Sequence, residues 1–418
     1  MTPTAADANR ADALARLEAF VPAAGRAYAA RRNADPGPEA PGYVSRLSPY
    51  LRHRLLTETE VAGAAIARHG FDGAEKFVQE VFWRTYFKGW LEQHPRVWRD
   101  YREGVRRARA RLAATPAAAA ARERACTGQT GIDGFDAWAN ELTATGYLHN
   151  HARMWFASIW VFTLKLPWEL GAEFFLTHLI DGDPASNTLS WRWVSGLHTR
   201  GKTYLARADN IAKFTEGRFR PTGQLAASAP ALEETDPAPR EALATPAPAQ
   251  LGASDVLLLT DDDLHFESLP GALPARVALV DLSAARTDVG VAPHVAGFVA
   301  AALDDRAEAL VRATDSAPER FVATDAASLP ALAEALAADI AANAGDAERV
   351  FTPYAPVGPG ADFLLELERA LAALPGPKRP ALVRYLRDLD RLAWPHADRG
   401  YFKLKKRLPE LVAALGIS

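Results

Sequence analysis

The sequence of 418 residues predicts two domains of different class, an all-helical domain followed by a small, mostly parallel α/β domain. Hydrophobic residues recur with helical spacing from Ala11 to about Arg220. A low-complexity stretch then separates this part from a region in which β-rich runs alternate with helical patterns. A chain of this length is also too long for one ordinary core. The predicted segments are a helical domain at 1–222, a linker at 223–251 and an α/β domain at 252–418.

The helical domain is predicted from dense aromatic and aliphatic residues at helical spacing, with little strand-like alternation. The segments Glu75–Leu91 and His149–Leu166 show this pattern. The stretch Ala226–Gly252 that follows is rich in proline and alanine and poor in large apolar residues. We therefore expect a semi-rigid, solvated linker there.

The α/β domain is predicted from β-rich runs that alternate with helical patterns, which favours a mostly parallel sheet with helices on its faces. The predicted strands lie within Asp255–Thr260, Ala275–Leu282, Glu319–Asp325 and Glu348–Gly358. The predicted helices are His294–Ala313, Ser328–Ala342 and Ala361–Ala373. The turn Thr260–His265 carries three carboxylates and no G-x-G-x-x-G pattern, which argues against a dinucleotide phosphate site.

Composition excludes several classes of protein. The sequence has no run of eighteen apolar residues and a polar start, so we expect no membrane span and no secretory signal. The single cysteine, Cys126, excludes an internal disulfide and a four-thiolate iron–sulfur cluster, and it fits a reducing, cytoplasmic location.

Charged residues are distributed unevenly along the chain, although its net charge is only -3. Residues 1–220 hold 30 Lys+Arg against 23 Asp+Glu, a balance of +7, and residues 221–418 hold 18 against 28, a balance of -10. The first part is therefore compatible with a polyanionic partner and the second is not.

The most informative stretch is LIDGDPASNTLSWRW, from Leu179 to Trp193. Its spacing places Asp181, Asp183 and Asn187 together at the start of a helix, where short polar side chains cap free backbone N–H groups. From spacing alone, an ordinary capped turn is equally compatible with this pattern.

This stretch resembles the flavin-binding signature of the cryptochrome/photolyase family. Three more segments match the same family in the same order, and the four together span about residues 25–220. They are Tyr28–Leu51, Lys76–Phe87 and Gly128–Met154. The resemblance implies an all-helical domain that binds FAD. In the family an α/β domain precedes the flavin domain, so we expect a rearranged order here, with the C-terminal domain as a counterpart of the usual N-terminal one.

The resemblance also implies a set of cofactor residues. The turn before Pro49 resembles a phosphate-gripping loop, although a serine N-cap followed by proline fits it equally well taken alone. Val44 stands where the family often has threonine. The implied cofactor residues are Tyr28, Ser45, Arg46, Leu47, Ser48, Arg84, Asn150, Arg153, Asp181, Asp183 and Asn187.

Within this set the resemblance implies distinct roles. Arg153 is expected to pair with Asp181, because a buried arginine needs a carboxylate partner. Asp183 would face the polar edge of the flavin, and Asn187 would lie beside flavin N5. An amide at this position favours photolyase-like redox chemistry.

A second implied set lines the pocket that receives a flipped-out thymine dimer in cyclobutane-dimer photolyases. Two indoles would sandwich the unstacked bases, and Glu80 would bond the pyrimidine carbonyl edge. The (6-4) enzymes of the family have histidine where this chain has Asn150. Indoles at helical spacing are also commonly core residues, which is the structural alternative. The implied substrate residues are Glu80, Trp83, Asn150, Met154 and Trp193.

In relatives three tryptophans relay electrons to the photoexcited flavin. Trp191 and Trp168 match the inner two, whereas the region Arg107–Ala125 holds no tryptophan for the outermost position. The alternatives for that position are Trp138, Trp155 and Trp160. With Glu80 and Asn187, the two inner tryptophans make up the expected catalytic residues.

The sequence therefore predicts a light-driven, FAD-dependent photolyase-like enzyme that acts on DNA containing pyrimidine dimers. The alternatives are a cryptochrome-like photoreceptor and a flavin-binding remnant with a structural role. We expect no metal site, because His149 and His151 point to different faces of a helix. The basic run Lys403–Arg407 predicts a solvated helix face, with nucleic-acid contact as the alternative. Antenna chromophore and oligomeric state are not specified.

Overall fold

The computed structural model describes residues 2–38, 40, 42–234, 236, 238–343, 347–375 and 379–417. Residues 235 and 237 of the expected linker lie outside this described part. The fold combines a helical part with a parallel sheet, as the sequence predicts.

The helical part is built around α4, the longest helix of the described chain. Thr57 and Glu60 form a capping box at its start. The helix bends at Gly70, whose φ of 69° is unfavourable for a residue with a side chain. The helices are α1 Arg10–Phe20, α2 Arg26–Arg31, α3 Ser48–Arg52, α4 Glu58–Glu92, α5 Arg96–Ala113, α6 Pro116–Cys126, α7 Phe135–Thr145, α8 Asn150–Ser158, α9 Trp168–His178, α10 Pro184–Val194 and α11 Ala208–Phe214. A π-helical turn, Ile159–Thr163, continues α8.

The stretch after α11 runs along the surface of the helical part without helix or strand in its described residues up to 250. Glu234 pairs with the buried Arg192. The backbone N–H of Leu232 donates to Ser195 O at 3.0 Å, and Arg240 donates to Gln93 Oε1 at 2.7 Å. These contacts attach the stretch to the helices along its length.

The sheet has five parallel strands in the order β3-β2-β1-β4-β5. This is a doubly wound arrangement whose strand order reverses between β1 and β4. The strands are β1 Val256–Thr260, β2 Arg276–Asp281, β3 Glu319–Val322, β4 Arg349–Pro353 and β5 Ala381–Tyr385. The helices around it are α12 Pro293–Thr314, α13 Leu329–Asn343 and α14 Pro359–Ala373. Sequence analysis missed β5 because this edge strand is only partly buried and carries a charged residue, Arg384.

Both faces of the sheet are covered, and one face belongs to the core of the helical part. Leu257 and Leu259 of β1 pack in a cluster that includes side chains of α1 and α4. The alternate residues Val256 and Leu258 point to the opposite face and pack with α13 and α14. The two parts of the chain therefore share one continuous hydrophobic core.

The C-terminal helices return from the sheet to the helical part. They are α15 Asp388–Ala393, α16 Phe402–Lys405 and α17 Leu408–Ala414. The buried Trp394 lies against Gly89 of α4 so closely that a Cβ there would sit 2.6 Å from its Cδ1. Gln93 Nε2 donates to Trp394 O at 2.9 Å. α4 thus contacts both ends of the chain.

The carboxyl edge of the sheet receives the short segment that joins α3 to α4. Arg52 pairs with Asp262 at 2.6 Å, and Arg54 pairs with Asp263 at 2.8 Å. His53 Nδ1 lies 2.5 Å from Asp261 O. Burial, together with Arg52 and Arg286, lowers the pKa of His53 well below its ordinary value, so this imidazole is neutral. The acidic turn after β1 thus binds arginines.

In the described part of the chain, the longest apolar stretches of helix fall short of what a bilayer crossing requires.

Asp263→Ala should lower the free energy of unfolding by about 3–5 kcal/mol, because it leaves buried Arg387 without its bidentate partner. Urea unfolding followed by circular dichroism measures this loss. Glu308→Ala, at the exposed pair with Arg312, is the matched control and should change stability by less than about 1 kcal/mol. Equal stability of the two variants would show that the buried pair of Asp263 and Arg387 contributes no more than an exposed pair.

Candidate functional site

The site is centred on the loop between α9 and α10. Asp183 is the N-cap of α10, and its side chain accepts from Ser186 N at 2.8 Å, with Pro184 in the first helical position. Gly182 O accepts from Arg52 Nε at 2.9 Å. The loop is therefore fixed at Gly182 and Asp183, and its two carboxylates, Asp181 and Asp183, are both buried.

Asp181 is paired with Arg153 of α8, as the sequence analysis expects. Arg153 Nη2 lies 2.9 Å from Asp181 Oδ2, and Arg153 Nε donates to Leu148 O at 2.9 Å. Burial opposes ionisation of Asp181, but Arg153 outweighs it and lowers the pKa of this carboxyl below its ordinary value. Among the described residues, Asp181 Oδ1 is buried and has no hydrogen-bond partner. This oxygen is an acceptor available to a bound group.

Asp183 faces the cations of α4. Arg84 Nη1 lies 3.3 Å from Asp183 Oδ2, and Arg84 Nη2 donates to Ser48 O at 3.3 Å. Burial would raise the pKa of Asp183, but Lys88, Arg84 and Arg52 together lower it well below its usual range. The carboxylate is therefore ionised throughout the physiological range.

Sequence analysis missed Lys88 and Arg52. Lys88 is buried one turn after Arg84, and its spacing on the same face of α4 was the available signal. Burial lowers its pKa, with Arg54 acting in the same direction. Arg52 is oriented toward the loop by its ion pair with Asp262 at the edge of the sheet. Asp262 is distant in sequence, so the sequence carries no signal for this pair.

The turn Ser45–Ser48 leads into α3, which begins at Ser48. Arg46 has a φ of 53°, in the left-handed region, and Ser45 Oγ accepts from Leu47 N at 3.3 Å. The guanidinium of Arg46 lies 5.4 Å from the centre of the Tyr147 ring. Leu47 is buried, whereas Ser48 begins α3 and is joined to Arg84 through its carbonyl. The turn and the carboxylate loop therefore meet at Arg84.

Tyr28 is buried between α2 and α4. Its ring packs edge-on against Phe77, with ring centres 5.1 Å apart. Burial raises its pKa, and the nearby Glu80 acts in the same direction. The structure thus places Tyr28 near the glutamate of the implied substrate set.

Asn187 and the tryptophans lie along α9 and α10. Asn187 Nδ2 donates to Ala172 O at 2.8 Å, which leaves the amide oxygen as an acceptor. Trp191 is buried one turn later, with its ring centre 6.2 Å from that of Trp160. Trp160 is thus the one of the three alternative tryptophans with a ring contact to Trp191.

Trp168 contacts aromatic rings of α5 that the sequence did not predict to lie beside it. Its ring centre lies 5.6 Å from that of Tyr101, which lies 5.3 Å from that of Trp98. Trp138 and Trp155 stack on each other at 5.4 Å. Trp98 and Tyr101 are three residues apart, a spacing that predicts that they lie on the same face of α5. This spacing does not predict that the face packs against α9.

The implied substrate residues lie on α4, α8 and α10. Glu80 pairs with Arg32 at 3.3 Å and with Lys76 at 2.9 Å. Trp83 is stacked by Tyr401 at 3.7 Å with 13° between the planes. The remaining members differ in exposure: Asn150 is exposed at the start of α8, Met154 is half-buried and Trp193 is 37% exposed beside Tyr204.

Tyr401 is a residue that sequence reasoning missed. Its hydroxyl donates to Gln79 O at 2.6 Å, which fixes the ring against Trp83 of the same helix. Each of the two indoles of the substrate set therefore has an aromatic partner within the chain. The sandwich of these two indoles around a base stays a prediction.

The histidines around Asn150 bind backbone. His149 Nε2 lies 3.0 Å from Arg32 O, and His151 Nδ1 lies 3.0 Å from Asn33 O. Within the described ranges no group of three His, Cys, Asp or Glu residues is arranged to hold a metal ion.

The residues at the loop fit an anionic cofactor with a polar ring edge. Arg84, Lys88 and Arg153 lie beside the carboxylates of Asp181 and Asp183, and the buried Glu58 also interacts with Arg84 and Lys88. Arginine and lysine side chains can bind a phosphate group, and the buried Asp181 Oδ1 favours a hydrogen-bond donor.

Comparisons with known proteins match this part of the chain. Residues 77–246 match the FAD binding domain of DNA photolyase. The deoxyribodipyrimidine photo-lyase of Streptomyces griseus is 36% identical over 181 residues, which are 40% of this chain and 38% of that protein. An enzyme of the same name from Thermus thermophilus is 37% identical over 194 residues, 46% of this chain and 44% of that one.

A crystal structure of a bacterial class III photolyase from Agrobacterium tumefaciens is 25% identical, with a TM-score of 0.41, and the match covers 50% of this chain and 43% of that one. The chain spans about two fifths of the length of the two curated relatives named above. The matched family model is that of an FAD-binding domain, so FAD is the cofactor of the matched family. The helical part of this chain is thus similar to the FAD-binding domain of the cryptochrome/photolyase family.

Proposed function

We propose that this protein is a light-driven, FAD-dependent lyase that splits cyclobutane pyrimidine dimers in DNA. The observation that carries the proposal is the arrangement on α4. Arg84 contacts the carboxylate loop at Asp183, and Glu80, one turn earlier, belongs to the same helical face. One rigid helix thus joins the cofactor residues to the implied substrate residues.

The chain would hold the cofactor through charge and hydrogen bonding. Arg84, Lys88 and Arg153 would bind its anionic groups, and Asp181 and Asp183 remain carboxylates that accept hydrogen bonds. Bound FAD, once reduced, supplies an electron to the lesion under light. The amide oxygen of Asn187 is an acceptor for a ring N–H, because its nitrogen already donates to Ala172.

The lesion would lie beside Glu80 and Trp83. Arg32 and Lys76 hold the Glu80 carboxylate in place, so that it bonds the polar edge of a flipped pyrimidine. Tyr401 supports one face of the Trp83 indole, which stiffens it as a stacking surface. Trp193, which is partly exposed, would supply the second aromatic surface.

The same stacking of Tyr401 on Trp83 favours a second function, that of a cryptochrome-like photoreceptor. In this case the C-terminal segment covers the indole permanently, and the redox state of the flavin changes the binding of a partner. Repair activity separates the two functions.

Arg153→Ala should lower FAD affinity about 30-fold or more, because it leaves the Asp181 carboxylate buried without its partner. The ratio of flavin to protein absorbance after dark purification measures this. Arg207→Ala, at an exposed pair with Asp209, is the control and should retain the flavin. Wild-type protein that is folded and colourless would contradict flavin binding altogether.

Trp191→Phe should slow reduction of the flavin by blue light and an external thiol, because Trp191 is the tryptophan closest to Asn187 along α10. Trp138→Phe removes an equally buried indole that stacks on Trp155 and should leave the rate unchanged. Time-resolved loss of oxidised flavin absorbance measures both variants. If Trp191→Phe is reduced as fast as wild type, electrons do not pass through this indole.

With FAD chemically reduced beforehand, the protein should split thymine cyclobutane dimers under near-ultraviolet light and leave (6-4) lesions unchanged. Trp193→Ala should weaken lesion binding by about 1–3 kcal/mol, and Glu80→Ala should mainly lower the yield of repair. Binding should weaken as salt rises, because phosphate contacts release counterions. Chromatography of the irradiated oligonucleotide measures repair.

Glu103→Ala removes an exposed carboxylate of α5 and is the control for Glu80. It should repair at the wild-type yield. A reduced wild-type protein that leaves dimers intact at saturating concentration would exclude the lyase and favour the photoreceptor.

A further inference from the structure

The C-terminal segment Arg399–Arg407 lies beside the implied substrate residues of α4. Tyr401 stacks on Trp83, and its hydroxyl donates to Gln79 O. Arg399 O accepts from Tyr86 Oη at 2.8 Å. The segment is therefore anchored to α4 at two points, on either side of the indole in sequence.

The residue after Tyr401 is an exposed aromatic. Phe402 is 74% exposed, the highest value among the large hydrophobic side chains of the described residues. It borders a groove with a cavity of about 400 Å³, whose other lining residues are Phe71, Glu75, Lys405, Lys406 and Pro409. Exposure of a phenyl ring to water is unfavourable in free energy, and a ring or base that stacks on it removes this cost.

The sequence on both sides of this ring is basic. The segment 398–410 holds Arg399, Lys403, Lys405, Lys406 and Arg407 against Asp398 and Glu410, a net charge of +3. This contrasts with the acidic balance of the C-terminal domain as a whole.

The cations of the segment are available to a polyanion. Lys403 pairs with Asp398, Arg407 pairs with Glu410, and Lys405 lies 3.7 Å from Glu75. The last two pairs are solvent-exposed, so they are weak and exchange readily for phosphate. Lys406 and Arg399 form no ion pair with any residue that the structure describes.

We propose that residues 399–407 form a DNA-contact surface that flanks the substrate pocket, an inference that rests on the proposed function. Phe402 stacks on an unpaired base next to the lesion, and Arg399, Lys405 and Lys406 contact the phosphates. Flat aromatic rings among cations are the means by which proteins bind single-stranded DNA without sequence preference. Tyr401 links the two surfaces, because it stacks on Trp83 while its neighbour faces solvent.

The test measures binding of a fluorescent single-stranded oligodeoxynucleotide, with and without one thymine dimer, to the flavin-loaded full chain in the dark. Phe402→Ala should weaken binding of both oligonucleotides about tenfold, as loss of one stacked base requires. The double variant Lys405→Glu with Lys406→Glu should also weaken both, and should reduce the slope of log affinity against log salt by about 1.4.

Two control variants match these changes elsewhere on the surface. Leu365→Ala removes an exposed apolar side chain of α14. Arg312→Glu with Arg369→Glu makes the same change in net charge on helices of the α/β domain. Both should bind DNA as wild type does.

The outcomes separate this surface from the proposed function. A dimer of two linked thymidines without flanking nucleotides should be split equally by wild type and Phe402→Ala, because it does not extend to the surface. If the wild type binds DNA and the Phe402 and lysine variants bind it equally well, residues 399–407 do not form a DNA-contact surface. The proposed lyase function is not contradicted by this result. If wild type binds neither oligonucleotide, both fail. Displacement of DNA by polyglutamate at equal charge concentration would instead assign the surface to an acidic protein.

Discussion

The guanidinium of Arg52 joins the two parts of the molecule at the candidate flavin site. Its Nε donates to Gly182 O, between the two site carboxylates, and its Nη1 lies 2.6 Å from Asp262 at the sheet edge. Arg52 is only 2% exposed, and a buried cation that loses its partner costs several kcal/mol. Asp262 at the sheet edge therefore helps Arg52 to hold the carboxylate loop, together with the contacts of Arg153 and Arg84. The α/β domain is in this sense part of the framework of the site.

The same contact explains the acidic turn after β1. In doubly wound sheets, ligands bind outside the carboxyl ends of the strands, where the strand order reverses. Here that crevice lies between β1 and β4, and the segment Arg52–Arg54 enters it. The turn carries Asp261, Asp262 and Asp263 because it must neutralise this basic segment, and not because it holds a phosphate.

α4 connects the remaining features. It presents Arg84 and Lys88 to the carboxylate loop, Glu80 and Trp83 to the proposed lesion, and Gly89 to the C-terminal Trp394. Because these contacts lie on one continuous helix, displacement of the C-terminal segment would shift the proposed lesion site and the cofactor residues together. Such a coupling would give either of the two proposed functions a physical basis.

The sequence by itself determined the local structure, because periodicity and capping act over a few residues. It placed the second half of α4, the helices α8, α12, α13 and α14, four of the five strands and the start of α10 at Asp183. The resemblance to the cryptochrome/photolyase family gave the Arg153–Asp181 pair. Only the tertiary structure decided that Tyr401 stacks on Trp83 and that Asp262 holds Arg52. Those partners are separated by hundreds of residues, and they meet because one face of the sheet packs into the helical core.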